Sequence, residues 1–188
     1  MAERTPVRSA SGTPVIGFEA QVRKMGDSTI LRLPDDASAR LPSRGQVAVK
    51  VAANGHDLQT VLEPDGKRGH WLKLDMKLRQ ALAVGAGETV ALTVEPTKDW
   101  PEPEIPEDFN TALAQAPDIS DVWASITPMA RWEWVRWISA TKNPQTRERR
   151  VEVAISKLRS GKRRPCCFDL ASCTDPDLAK NGVLVDQV

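Results

Sequence analysis

The chain has 188 residues and a mass of 20.7 kDa, enough for one ordinary domain or two small ones with modest cores. Hydrophobic residues at 40% and charged residues at 27% exclude a wholly disordered chain, and no run approaches the ~20 apolar residues of a membrane-spanning helix. The formal net charge of +1 averages two opposed blocks: residues 95–121 hold eight acids against one base, and residues 142–164 hold nine bases against two acids.

Residues 1–14 are rich in Ser, Thr, Pro and charge and carry no apolar stretch, so they read as a disordered tail without a secretory signal. Cys166, Cys167 and Cys173 form an odd, clustered set that no intramolecular disulfide framework uses up, which fits a reducing compartment. A cytoplasmic location is expected.

From Ile16 the pattern has period two. Ile16, Phe18, Ala20 and Val22 alternate with Gly17, Glu19, Gln21 and Arg23, as a half-buried strand requires. Gly26-Asp27 supplies a turn before a strand at Thr29–Leu33, and further strands are predicted at 46–52, 57–62, 70–74 and 88–95. Asn54-Gly55 is the dipeptide of a tight hairpin, because both residues tolerate positive φ.

The segment ILRLPDDASARLPSRGQVAVKV from Ile30 parallels WLKLDMKLRQALAVGAGETVALTV from Trp71. Leu31 and Leu33 match Leu72 and Leu74, and Val47, Val49 and Val51 match Val90, Leu92 and Val94. Each copy reads strand, short helix, strand, with Asp35 and Asp75 near the helix start, where a carboxylate accepts from unpaired amides. Neither copy buries its own sheet face, so two copies are expected to close into one barrel spanning 15–96. The pattern resembles the swapped-hairpin halves of the double-split β-barrel of AbrB-like and MazE-like proteins, with both halves here in one chain; an unrelated small antiparallel barrel is the alternative.

Pro96, Pro101, Pro103 and Pro106 then interrupt regular structure, so 97–106 reads as an acidic, Pro-rich linker. Helices are predicted at 107–116, 119–125, 128–142 and 144–160, forming a small all-α domain over 107–165, followed by an irregular Cys-containing tail at 166–188. Thr127-Pro128 and Asn143-Pro144 each place a capping residue before a proline suited to the first helical position. The fold class is thus α+β. The Trp residues at 132, 134 and 137 serve either as core of the helical domain or as a stacking surface. The bases of the last helix either contact phosphates, are solvated, or are neutralised by the acidic segment at 95–121.

The run RWEWVRWISATKNPQTRERRVEVAISKLRSGKR resembles the YdeI/OmpD-associated, or bacteriocin-protection, family, through Trp137, Ile138, Lys142, Pro144, Thr146, Arg147 and Arg150, and Arg164-Pro165-Cys166-Cys167-Phe168 resembles a tail of some members. Members often carry an N-terminal barrel domain of unknown function, which FEAQVRK from Phe18 and the two LxLP/LxLD repeats resemble. Trp134 stands where an aromatic Tyr is more usual.

No constellation demands catalysis. The three thiols lack a nearby His for a metal site, His56 and His70 anchor no triad, and no glycine cluster precedes a Lys-Ser/Thr phosphate loop. No cofactor is expected. The reading is a non-enzymatic binding or stress-protection protein for an unknown small ligand or protein partner. Its ligand-binding residues are Trp134, Trp137, Lys142, Thr146, Arg147 and Arg150, placed at a groove between the domains. Two alternatives are a nucleic-acid-binding protein using the AbrB-like barrel and the basic helix, and an enzyme with a Cys166 or Cys167 nucleophile activated by Arg163-Arg164.

Overall fold

The computed structural model describes residues 12–166 and 169–185. The predicted N-terminal tail therefore lies almost wholly outside the described residues, as do Cys167 and Phe168. The chain divides into two compact units. Among the described residues, the first comprises 12–101, 170–173 and 182–185, and the second comprises 102–166, 169 and 174–181.

The first unit is a closed barrel of six antiparallel strands: β1 (Ile16–Met25), β2 (Ser28–Arg32), β3 (Val47–Ala53), β4 (His56–Pro64), β5 (His70–Lys73) and β6 (Thr89–Pro96), with short helices α1 (Asp35–Ala39) and α2 (Met76–Leu82). Each predicted strand is present, with bounds shifted by a few residues at most. Around the barrel the order is β1-β2-β5-β4-β3-β6. Exchanging β1, β2, β3 with β4, β5, β6 maps this order onto itself, so the sequence repeat is also a repeat of topology. Register carries the same symmetry. Leu31 pairs with its own repeat mate Leu72, and Val51 with its mate Val94.

Alternating residues fill the interior. Ile16, Val22, Leu31, Val49, Leu72 and Leu92 are all fully or nearly fully buried in one cluster, and closure leaves no strand edge to pair with another chain. Asn54 (φ 50°) and Gly55 (φ 77°) form the β3–β4 turn in the left-handed conformation that a two-residue hairpin requires. Asp75 caps α2 by accepting from the Leu78 amide at 2.7 Å. Asp35 makes no such bond, because Pro34 occupies the capping position of α1 and Asp35 is already in its first turn.

The second unit contains α3 (Glu107–Ala114), a 3₁₀ turn (Pro117–Ile119), α4 (Ser120–Ser125), α5 (Pro128–Ser139) and α6 (Pro144–Arg159), together with a two-residue strand, β7 (Ala179–Lys180). Thr127 and Asn143 accept from the amides of Ala130 and Thr146, each followed by proline at the first helical position, as the sequence predicts. The core joins Phe109, Ile119, Ile126, Trp134, Ile138, Ala154 and Leu158. The expected linker is divided. Gln59 Nε2 donates to the Asp99 carbonyl within the barrel unit, whereas Pro103 is buried and Ile105 packs on the helical core. The boundary between units falls between Pro101 and Glu102.

Candidate functional site

Six residues of the helical unit were expected to bind a ligand, and the helices distribute them unequally. Trp134 is wholly buried, and its Nε1 donates to the Arg163 carbonyl at 3.1 Å. The indole of Trp134 is a packing element of the core. Trp137, one turn further along α5, is half-buried and meets Trp134 edge to face, with centroids 6.1 Å apart and planes at 78°. The Trp cluster therefore contains both a core ring and a partly open one.

The bases of α6 also separate into two kinds. Arg147 is bidentate to Asp108 of α3, with Nε–Oδ2 at 2.5 Å and Nη2–Oδ1 at 2.9 Å. The guanidinium holds the Asp108 carboxyl below its ordinary range, and the carboxylate raises Arg147 in turn. Arg159 pairs with Asp118, Lys142 with Asp177, and Arg164 with the buried Glu133 of α5. Hydrogen bonding to Glu133 raises the pKa of Arg164. Asp108 and Asp118 belong to the acidic stretch 95–121, so that stretch neutralises part of the basic helix.

Arg150 and Lys157 behave differently. The Arg150 guanidinium carbon lies 5.4 Å from the Trp137 ring centroid and the Lys157 ammonium 5.7 Å from it, both within cation–π reach. Arg150 Nη1 donates to the Trp137 carbonyl at 2.7 Å, and Lys157 Nζ lies 3.1 Å from Cys166 Sγ. A ring and a carbonyl orient these cations without cancelling their charge. Thr146 is exposed, and its amide is occupied by the Asn143 cap.

Trp137 and Arg150 thus come together, with Trp134 behind them, while Arg147 and Lys142 are drawn to carboxylates. Lys157 and Cys166 complete the cluster and were missed as members of it. The signal was present in the sequence, since Arg150 and Lys157 are seven residues apart and so lie on one helical face. The two histidines do not meet. His56 pairs with Ala53 at one end of β4, and His70 pairs with Pro64 at the other. Among the described residues no group of three or more His, Cys, Asp or Glu is placed to hold a metal ion, and no helix is long and apolar enough to cross a membrane.

Comparison with family models matches residues 102–161 to the family described as bacteriocin-protection, YdeI or OmpD-associated, and residues 18–94 to a domain of unknown function, DUF1905. The chain carries a YdeI/OmpD-associated domain behind an N-terminal DUF1905 domain. The bacteriocin-protection match spans α3 to α6 and includes Trp137, Arg150 and Lys157, whereas the DUF1905 match covers almost the entire barrel from Phe18 in β1 to Val94 in β6. No curated protein matches the chain significantly.

Proposed function

We propose that this protein is a cytoplasmic, non-enzymatic binding protein of stress or bacteriocin protection, and that its ligand or partner docks on the Trp137 surface of the helical domain. The observation that carries this reading is the half-buried indole flanked by Arg150 and Lys157, cations not matched to carboxylates as their neighbours on α6 are. Such a surface suits an anionic group attached to an apolar body, because cation and indole each contribute part of the contact. Thr146 adds an exposed hydroxyl in the first turn of α6, and Lys142 and Arg147 offer charge once their surface pairs exchange with a ligand.

The test is protection in bacterial cells lacking their own copy and challenged with a bacteriocin. Trp137→Ala/Arg150→Gln is expected to abolish protection at unchanged protein level, while Trp132→Phe retains it. Full protection by the double variant would remove the proposed surface. Turnover of a small substrate that disappears in Arg147→Ala would remove the non-enzymatic reading.

The two-fold repeat of the barrel supports a second reading, kinship with AbrB-like proteins and binding of nucleic acid. Affinity for duplex DNA that falls steeply with salt is its expected signature, and no binding at low salt eliminates it.

A further inference from the structure

We propose that the barrel carries a binding site for a small phosphate-bearing molecule, in a cleft of about 480 Å³ bordered by Arg32, Arg44, Lys67, Arg68 and Asp35. The volume falls within the range of small-molecule sites and exceeds what a lone phosphate fills. Three features of the cleft point to an anion.

The guanidinium of Arg44 is fixed by three carbonyls, those of Leu41 (2.9 Å), Arg68 (3.1 Å) and Ala39 (3.3 Å). Carbonyls orient a cation without neutralising it. Asp65, a buried carboxylate, builds the adjoining loop: its Oδ1 accepts from the amides of Lys67 at 2.7 Å and Gly69 at 2.8 Å. Its other oxygen accepts from Arg32 at 3.1 Å, so one carboxylate both shapes the loop and orients a base of the cleft. Arg68, finally, has φ 73°. A long side chain in the left-handed region is strained, and a plain turn is served better by glycine, which the chain uses at Gly66 in the same loop. The strain is retained where it sets an arginine at the cleft.

Charge fixes the ligand class. Arg32 and Asp65 cancel, leaving Arg44, Lys67 and Arg68 against Asp35, whose side chain is 94% exposed and lies 4.0 Å from Arg32. Three cations against one hydrated carboxylate suit a phosphomonoester dianion, and Arg recognises phosphate through paired N–H donors. A confined cleft, rather than a long basic stripe, favours a small molecule over a nucleic-acid backbone.

The test is calorimetric titration of the full chain, at low salt, with inorganic phosphate, a nucleoside 5′-monophosphate and the parent nucleoside. Saturable one-site binding is expected for both phosphate-bearing probes, tighter for the nucleotide, and none for the nucleoside. Lys67→Gln/Arg68→Gly is expected to weaken binding at least about tenfold, as loss of charge-assisted hydrogen bonds does. Glycine accepts the positive φ, so this variant retains the loop, and an unlowered urea midpoint verifies the fold. No saturable binding of either probe, or equal binding by the variant, overturns the proposal. Affinity for a single-stranded oligonucleotide that rises with length, without mononucleotide binding, overturns it in favour of a polyanion surface.

Discussion

Replacing Trp134 and Trp137 one at a time separates the two roles that the aromatic helix combines. Trp134 is wholly buried, so Trp134→Ala removes a large side chain from a packed core at a cost of about 3–5 kcal/mol. Loss of its edge-to-face partner adds about 0.5–1.5 kcal/mol. At about 0.05–0.15 kcal/mol per residue, a helical domain on the order of 60 residues holds only about 3–9 kcal/mol. Trp134→Ala is thus expected to leave that domain unfolded or nearly so. Trp134→Phe keeps most of the apolar volume and is expected to cost about 1–3 kcal/mol. Trp137→Ala exposes little new cavity because the ring is already half open, and about 1 kcal/mol is expected. Urea unfolding followed by far-UV circular dichroism reads the difference, since the helical signal arises mainly from this domain. With a slope of about 1 kcal/mol per molar urea, Trp134→Phe shifts the midpoint by about 1–3 M and Trp137→Ala by about 1 M or less. Equal shifts for Trp134→Ala and Trp137→Ala, or a Trp134→Ala domain as stable as the original, refute the division into core ring and open ring.

Three further outcomes follow from the geometry. His70 is completely buried, its Nε2 lies 3.0 Å from the Gly45 carbonyl and its Nδ1 meets no donor among the described residues. Burial, assisted by repulsion from Arg44 and opposed by Asp65, lowers its pKa from 6.5, so the unfolded chain binds the proton first. Barrel stability is therefore expected to be intact above about pH 6.5 and to fall as pH drops from there toward the lowered value, and His70→Gln is expected to flatten that part of the melting-temperature profile. At Gly66, with φ 78°, an added Cβ stands 2.0 Å from the Gly182 carbonyl oxygen. Gly66→Ala is expected to destabilise the barrel by at least about 1–2 kcal/mol and to speed hydrogen exchange at Leu184, whose amide donates to the Asp65 carbonyl; an unchanged exchange rate argues against that close approach. The Asp108–Arg147 pair is partly exposed, so a double-mutant cycle is expected to give a coupling below about 1 kcal/mol after screening. Because the Asp108 pKa is lowered, that coupling is present above about pH 4 and disappears as pH falls through the folded value.

Local chemistry made much of the architecture legible. Asn54-Gly55 names its hairpin because few other dipeptides adopt two successive positive φ values, and Pro128 and Pro144 mark helix starts because proline fits only the first turn. The matching of Leu31 to Leu72 and Val51 to Val94 anticipated pairs that sit opposite each other on neighbouring strands, β2 with β5 and β3 with β6. Depth was less legible. Trp134 and Trp137 share a helical face, and only the Arg163 carbonyl and the packing around α5 decide which of them is closed in. The basic cleft was hidden for another reason. Arg32, Arg44 and Lys67-Arg68 are scattered along the sequence and meet only when the barrel closes, while the glycines around them read as ordinary turns that lack a phosphate-loop signature.

The first and last strands of the barrel are neighbours, with Ile16 of β1 paired to Val94 of β6. A short linker can therefore join Pro96 to Ile16 while the chain is opened at Asn54-Gly55. The permuted order runs β4, β5, α2, β6, β1, β2, α1, β3. Because the two halves exchange without altering the strand order, this rearranged chain has the same topology as the original. Which half is synthesised first is consequently immaterial to the barrel's final connectivity, and circular permutation at that hairpin is a change the fold is built to absorb.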